Sequence, residues 1–374
     1  MRIKILATAD LHLGMRFPSF EDEIAERLAE ARFETLQRLV EEANLRECDL
    51  FVVAGDLFER RSVPREVISR TVSLLSTFRG KVAIVLPGNH DYYAGKETSP
   101  WADLANGLGD SEAVFILAQS PTPIPLEDYG IDATIFPGPC TSRHSAENNV
   151  DWIPTEINRG SGQSISIGLA HGSIEGLSPD FNQRYFPMTR EILDEKAIDL
   201  WIVGHTHVRY PSQDQNEGKL FIPGTPEPEG FGDLQTGGAW YIEVDDKSNI
   251  RSEAIHTGIY RFEVLSVVVR GREDLDSTVN SINEAKSVLL WLRLSGTLPL
   301  AEYEKLGDII DRIKERVLYL REDSSALVEE ITRERVLDEF TEGSFPSDLL
   351  LALLEYGDSE AAGLAFELVK QVRK

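Results

Sequence analysis

The sequence predicts an α/β fold, because short β-rich runs alternate with helical patterns between residue 1 and about residue 260. Residues 21–47 form the longest helical pattern, with apolar residues at helical spacing and acids in the first turn. Two segments rich in Gly, Pro, Ser and Asn, 95–110 and 137–164, predict loops long enough to act as lids or to face a substrate. The candidate strands are 3–8, 50–55, 82–86, 114–117, 133–136, 165–170, 200–204, 220–224 and 240–244.

The composition changes near Gly258, where the pattern predicts a second, smaller α/β domain. Its candidate strands and helices alternate in the order 261–271, 275–285, 287–296, 300–317 and 318–325. Residues 344–374 predict two short helices, with Ser347 and Ser359 as N-caps and Gly357–Asp358 as the turn between them. We therefore expect three parts: 1–258, 259–340, and a C-terminal helical segment at 341–374 that is available to a partner.

The formal net charge of −25 over 374 residues limits the choice of partner. Such a chain repels polyanions at long range, which counts against autonomous, non-specific DNA binding and favours a DNA-binding partner. It does not exclude a nucleic-acid enzyme, because a bound dication inverts the local field. Much of the charge is also explained by solubility alone.

The cysteines and the apolar runs predict a cytoplasmic protein. Cys48 and Cys140 supply no disulfide framework, which is typical of a reducing compartment. The N-terminal apolar run is too short for a signal peptide, and no stretch approaches the roughly 20 apolar residues that span a bilayer.

Five candidate strands each end in a short polar cluster, and five of the seven histidines lie in these clusters. His205 and His207 stand one residue apart, so both can project from the same side of an extended segment. Ligands bind at the carboxyl ends of strands in open α/β sheets, so we expect the clusters to converge. The residues in question are Asp10, His12, Asp56, Asn89, His90, His171, His205 and His207.

Each cluster also has a local explanation, such as a helix cap, an Asx turn or a hydrogen-bonded core histidine. Five unrelated local causes at equivalent strand ends are a weaker account than one shared site. Imidazole, carboxylate and amide donors without thiolate suit Mn, Fe or Zn better than Ca. Two such ions, roughly 3.5–4 Å apart and bridged by one carboxylate, are suited to in-line displacement at phosphorus.

In chain order, the motifs D-x-H, G-D, G-N-H-D, H and G-H-x-H resemble those of the calcineurin-like metallophosphoesterase superfamily. The resemblance covers residues 1–260 and implies a metallophosphoesterase-type layered β-sandwich flanked by helices, with a small α/β cap domain and C-terminal helices. It implies one metal held by Asp10, His12, Asp56 and His207, and a second held by Asp56, Asn89, His171 and His205. A hydroxide that bridges the metals would be the nucleophile.

The same resemblance implies that His90 is catalytic, stabilises charge on the phosphate and protonates the leaving oxygen. Glu59 lies three residues after Asp56, where related phosphatases carry an acid beside this histidine. It is therefore expected to orient His90 and favour its protonated form. The other interpretation of Glu59 is a solvated loop glutamate.

The segments 7–14, 54–64 and 221–244 are similar to the SbcD-like DNA repair exonuclease branch. This finer resemblance implies a Mn²⁺-dependent nuclease on DNA ends, a homodimer, and an SMC-like ABC ATPase (SbcC-like) that grips the C-terminal helices. Four arginines beside the motif loops would contact phosphate backbone, or are equally well ordinary solvated side chains: Arg60, Arg61, Arg143 and Arg209.

Two other functions stay open at this point. One is a phosphatase or phosphodiesterase for small nucleotides with the same metals, against which the cap and tail weigh because a small ligand needs neither. The other is a non-catalytic adaptor of an ATPase, against which the intact ligand positions weigh.

Overall fold

The computed structural model describes residues 2–95, 100–109, 113–118, 122–157, 164–178, 180, 182–216, 218–232, 236–282, 285–357 and 359–372. The chain divides into two compact units, Met1–Tyr260 and Arg261–Lys374. The separate C-terminal part at 341–374 stays a prediction.

Strands and helices of the first unit alternate along the chain as the sequence predicts, and the structure adds short strands that the sequence did not predict. Its strands are β1 (Arg2–Thr8), β2 (Leu50–Ala54), β3 (Val82–Leu86), β4 (Val114–Ile116), β5 (Ile124–Pro125), β6 (Ala133–Gly138), β7 (Ile165–His171), β8 (Leu200–Gly204), β9 (Gln215–Asn216), β10 (Leu220–Phe221), β11 (Gly238–Asp245) and β12 (Ile250–His256). Its α-helices are α1 (Asp22–Leu45), α2 (Arg65–Leu75), α3 (Pro100–Leu108) and α4 (Arg190–Glu195), and a 3₁₀ turn covers Glu127–Tyr129.

The strands form two sheets. The seven-stranded sheet has the order β4-β3-β2-β1-β11-β12-β9, with β1 to β4 parallel and β11, β12 and β9 antiparallel to their neighbours. The five-stranded sheet has the order β10-β8-β7-β6-β5, parallel except for β5. Parallel neighbours need crossover connections, and α1, α2 and α3 supply them in the larger sheet.

The two sheets face each other across one apolar core. Ile5 and Val52 of the larger sheet lie in the same buried cluster as Ile167 and Ile202 of the smaller one. A second cluster packs α1, α2 and α3 on the outer face of the larger sheet, and a third includes Leu193 of α4 and Trp201 of the smaller sheet. This helix–sheet–sheet–helix arrangement confirms the predicted layered β-sandwich flanked by helices.

One predicted loop contains a helix. The segment 95–110 was expected to be irregular because of its small and polar residues, but α3 begins there at Pro100. Proline is favoured in the first turn of a helix, where its missing N–H is not needed. Trp101 and Leu104 bury that helix against the larger sheet, so two apolar side chains outweigh the loop-like composition.

The second unit consists of a parallel sheet, with helices between its strands and three more helices after the last strand. Its elements are β13 (Arg261–Val269), α5 (Arg272–Ser281), β14 (Ala285–Leu298), α6 (Leu300–Tyr303), α7 (Leu306–Lys314), β15 (Val317–Glu329), α8 (Arg333–Glu339), α9 (Phe345–Tyr356) and α10 (Ser359–Val372). The strand order is β13-β14-β15, all parallel, and α5 and α7 pack into the core of this sheet.

The three last helices bury a small core of their own around Phe340, Leu350 and Phe366. The N-cap of α9 is Ser344, whose hydroxyl accepts a hydrogen bond from the backbone N–H of Ser347. The predicted cap at Ser347 is therefore wrong by three residues, because the Phe-Pro pair at 345–346 already belongs to the first turn. Gly357 ends α9 in the left-handed conformation as predicted, whereas Asp358 and the side chain of Ser359 lie outside the described residues.

Candidate metal centre

The predicted polar clusters meet where the carboxyl ends of the two sheets come together. Asp10 follows β1, Asp56 follows β2 and Asn89 follows β3 in the larger sheet, whereas His171 ends β7 in the smaller one. The sheets touch at this edge, because His171 Nδ1 donates a hydrogen bond of 2.9 Å to the Ala54 carbonyl. A carbonyl can only accept, so Nδ1 carries a proton and Nε2 is the nitrogen that faces the centre.

Strained backbone accompanies these residues. Positive φ angles occur at Asp10 (53°), His12 (47°), Asp56 (52°), His205 (98°) and His207 (58°). Non-glycine residues in this region cost about 1–3 kcal/mol each and persist where the surrounding structure imposes them, commonly at functional sites. Five of the seven predicted metal ligands therefore carry a conformational cost of the kind that is common at functional sites.

The first predicted metal position consists of Asp10, His12, Asp56 and His207. One ligand atom from each lies within 4.8 Å of every other. The two Nε2 atoms of His12 and His207 are 3.2 Å apart. Two nitrogens that bind one ion at about 2.1 Å each lie about 3.0–3.4 Å apart. The donors present therefore fit a divalent ion, and their mixed nitrogen and oxygen chemistry suits a first-row transition metal.

The second predicted position gathers around the amide oxygen of Asn89. Oδ1 of Asn89 lies 2.9 Å from His171 Nε2 and 2.9 Å from His205 Nδ1. Asp56 Oδ2 is 3.2 Å from His171 Nε2 and 3.9 Å from His12 Nε2, so this carboxylate stands between the two positions. Burial, followed by the charge of His171, lowers the pKa of His205 to about 3, so its ring stays neutral and keeps a lone pair.

His90 stands at the open side of the centre. Its ring lies edge-on to His12 with centroids 4.7 Å apart, and its backbone N–H donates to Asp56 Oδ1 at 2.8 Å. The side chains of His90, His207 and Glu59 are 29%, 29% and 28% exposed, whereas those of Asp56 and His12 are 1% exposed. A substrate can therefore approach from the side where His90 lies.

The expected contact between Glu59 and His90 is present, but it comes mainly from the backbone. The carbonyl oxygen of Glu59 lies 3.0 Å from His90 Nδ1, whereas the carboxylate is 3.8 Å from that atom. The same carboxylate is only 3.0 Å from Nδ1 of His12. The side chain of Glu59 is therefore placed to act on His12 more directly than on His90.

The model of the calcineurin-like phosphoesterase family matches residues 3–209, more than half of the chain. The chain belongs to this family. The match spans the predicted ligands from Asp10 to His207, and membership implies a hydrolase of phosphoesters. The resemblance to a metallophosphoesterase is thus confirmed.

Curated relatives include the DNA double-strand break repair protein Mre11 of Methanopyrus kandleri, 23% identical over 410 residues that cover 100% of this chain and 83% of that protein. YhaO of Bacillus subtilis, an uncharacterized metallophosphoesterase, is 22% identical over 65% of this chain and 57% of its own length. A solved metallophosphoesterase from Sphaerobacter thermophilus is 14% identical, with a TM-score of 0.31, and covers 85% of this chain and 100% of that one. The fold is therefore assigned from the strand order given above and not from this structural similarity.

In this phosphoesterase, the clustered acids shift the pKa values of the histidines beside them. Burial lowers the pKa of His207, but the carboxylates of Asp10 and Glu229 outweigh it and raise that pKa to about 10. Burial likewise lowers the pKa of His171, but Asp56 outweighs this effect and raises that pKa to about 9. The carboxylates thus favour positive charge at this point. A bound divalent cation would compensate their negative charge, as bound protons do.

Two functional candidates escaped the sequence analysis, Glu229 and Arg32, and Asp91 of the G-N-H-D motif was given no role there. Glu229 lies 3.5 Å from His207 Nδ1 and 3.4 Å from the guanidinium of Arg32. Arg32 is 1% exposed on the inner face of α1. A charged residue among the apolar residues of that helix face was the signal from which the sequence could have indicated it. Asp91 accepts hydrogen bonds from the backbone N–H groups of Phe58 and Gly88 and so ties two motif loops together.

The predicted phosphate-binding arginines differ in their surroundings. Arg60 and Arg143 are exposed. Arg61 stacks on Tyr92, with its guanidinium 4.6 Å from the ring centroid, and Arg209 pairs with Asp214 at 2.9 Å. The role of these four arginines as phosphate contacts stays a prediction.

Within the described residues, no helix is both long and apolar enough to cross a membrane.

Proposed function

We propose that this protein is a two-metal phosphodiesterase that cleaves DNA at ends and uses Mn²⁺, with Fe and Zn as the alternative ions. The observation that carries the proposal is the convergence of eight predicted residues from five strand ends on one edge of the sandwich. Asp56 stands between two sets of donors there, and His90 lies on the exposed side. Similarity to Mre11 along the whole chain supports DNA as the substrate class.

Two divalent ions, when bound here, supply Lewis-acid stabilisation of the phosphate and an activated water. Asp10, His12, Asp56 and His207 would hold one ion, and Asp56, Asn89, His171 and His205 the other. The backbone N–H of His90 fixes Oδ1 of Asp56, which leaves Oδ2 directed between the two positions. The ring of His90, held at Nδ1 by the Glu59 carbonyl, presents its other nitrogen to a leaving oxygen and would protonate it.

A partner ATPase of the SMC type would supply the DNA-holding surface that a chain of net charge −25 lacks. The apolar stretch at 348–356 gives this only limited support, because Leu350 is buried within the second unit and its neighbours pack around it. The stronger support is α10, where Leu364, Leu368 and Val372 are 49%, 62% and 88% exposed at four-residue spacing. We also propose that the protein forms a homodimer and is located in the cytoplasm.

The test is cleavage of end-labelled linear duplex and single-stranded DNA by the full-length protein, with Mn²⁺ or with EDTA. His90→Asn is compared with His256→Asn, whose side chain is 63% exposed and remote from the metal ligands in sequence. We expect Mn²⁺-dependent shortening of DNA that falls about 10²–10⁴-fold in His90→Asn and is unchanged in His256→Asn.

The alternatives give different results in the same assay. Hydrolysis of bis-p-nitrophenyl phosphate with both DNA substrates intact, even after a cognate ATPase is added, would replace the nuclease with a small-molecule phosphodiesterase. Two bound ions without turnover of either substrate would favour the non-catalytic adaptor.

A further inference from the structure

The two histidines of the first metal position each present a second nitrogen to a carboxylate. His12 Nε2 and His207 Nε2 face each other at 3.2 Å. On the far side of the His12 ring, Nδ1 lies 3.0 Å from Glu59 Oε2. His207 Nδ1 lies 3.5 Å from Glu229 Oε2, and the other oxygen of that carboxylate lies 3.7 Å from His12 Nε2. Each ring thus turns one nitrogen to the predicted ion and the other to an acid that is not part of the predicted ligand set.

At the second metal position, the second nitrogen of His171 has a neutral oxygen as its nearest partner. His171 Nδ1 donates to the carbonyl of Ala54 at 2.9 Å, and Oδ1 of Asp10 lies farther from that nitrogen, at 4.0 Å. His205 turns Nδ1 itself toward Asn89 and the predicted ion. A carboxylate behind a ligating imidazole fixes its tautomer and raises its basicity more than a neutral oxygen does. His12 and His207 therefore have a carboxylate nearer to the second nitrogen than His171 has.

Glu229 is itself fixed by a buried cation. Arg32 Nη2 lies 3.4 Å from Glu229 Oε1, and Arg32 Nη1 donates a 2.8 Å hydrogen bond to the carbonyl of Leu11, the residue before His12. The guanidinium also lies 5.3 Å from the Phe17 ring centroid. One arginine thus connects the acid behind His207 to the loop that carries His12.

We propose that Glu59 and Glu229 are positioning residues that aim His12 and His207 at one ion and make the first metal position the tighter of the two. Arg32 holds Glu229 in place for this purpose. The inference rests on the proposed metal centre and not on DNA as the substrate, so the two can fail separately.

The test is Mn²⁺ binding to the full-length protein, stripped with a chelator and titrated by calorimetry. Glu59→Gln and Glu229→Gln keep the side-chain shape and remove the charge. The matched control is Glu227→Gln in the same loop, a buried acid that accepts hydrogen bonds from Thr35, Ile259 and Tyr260. Asn89→Ala, which alters only the second position, identifies the weaker ion by its loss.

We expect Glu59→Gln and Glu229→Gln each to weaken the tighter Mn²⁺ site by about 10–100-fold and to leave the weaker site unchanged. Glu227→Gln should leave both affinities unchanged. In the Zn²⁺-loaded protein, the Nδ1–H proton resonance of His207 should shift in Glu229→Gln and not in Glu227→Gln. A purely structural role of Glu229 would not move that signal.

Several results would overturn the inference. Unchanged first-site affinity in both Gln variants would remove the positioning role, and an equal loss in Glu227→Gln would show that loop packing is responsible. Loss of the tighter ion in Asn89→Ala would reverse the assigned order of the two positions. A protein that binds two ions in this order and leaves DNA intact would keep the inference and reject the proposed nuclease.

Discussion

Gly55 gives a quantitative test of how closely the two sheets approach at the metal centre. Its φ is +93°, and a Cβ at this position would lie 2.0 Å from His171 Nδ1 and 2.5 Å from His171 Cγ. Gly55→Ala must therefore push aside a buried imidazole that is hydrogen-bonded to Ala54. Gly130 is the matched control, since its φ is +68° and a Cβ there meets nothing within 4 Å.

The two substitutions share one cost and differ in another. Both place alanine in the left-handed region, at about 1–2 kcal/mol. Gly55→Ala adds about 1–3 kcal/mol for overpacking and about 1 kcal/mol for the lost hydrogen bond of His171. We therefore expect the free energy of unfolding to fall by about 1–2 kcal/mol in Gly130→Ala and by about 3–6 kcal/mol in Gly55→Ala.

The assay is urea unfolding of the full-length protein followed by tryptophan fluorescence. Trp101, Trp201 and Trp240 are all buried in the first unit, so they report its unfolding. With a slope of about 3 kcal/mol/M, the midpoint should fall by about 0.3–0.7 M in Gly130→Ala and by about 1–2 M in Gly55→Ala. Equal shifts would refute the reasoning, because His171 would then not be packed against Gly55.

Two further predictions concern buried groups that are not predicted metal ligands. Burial raises the pKa of Cys48 to about 12 and that of Cys140 well above its usual value, so iodoacetamide at pH 8 should modify neither thiol until urea unfolds the chain. Rapid modification of either thiol in native protein would show that it is accessible. In the second unit, Phe366 is fully buried, so Phe366→Ala should lower the free energy of unfolding by about 3–5 kcal/mol. Leu364→Ala, at a half-exposed position of the same helix, should change it by less than about 1 kcal/mol, and equal losses would contradict the packing of α10.

Much of the fold was predictable because the strands of the sandwich core are short, apolar and separated by residues that favour turns and loops. The polar clusters were predictable for a related reason. An acid or histidine directly after an apolar run, as at Asp10 or His171, marks the carboxyl end of a strand. In a parallel sheet such ends share one edge, so the convergence of the clusters could be predicted before their distances were known.

The remaining features depend on tertiary contacts that a local pattern does not encode. α3 forms because Trp101 and Leu104 have a sheet to pack against, whereas the composition of 95–110 resembles a loop. Glu229 lies in a loop whose path is set by Arg32 and by the histidines of distant strands. The carboxylate of Glu59 lies nearer to His12 than to His90, a difference below 1 Å that sequence spacing cannot resolve.

The central claim is that Asp56 holds two divalent ions side by side, and electron paramagnetic resonance of the protein loaded with two Mn²⁺ per chain tests it most directly. Ions roughly 3.5–4 Å apart with a shared carboxylate are exchange-coupled. The account predicts a coupled dinuclear spectrum in the native protein and its loss in Asp56→Asn. A spectrum of isolated Mn²⁺ at full loading, or saturation at one ion per chain, would contradict the two-metal centre.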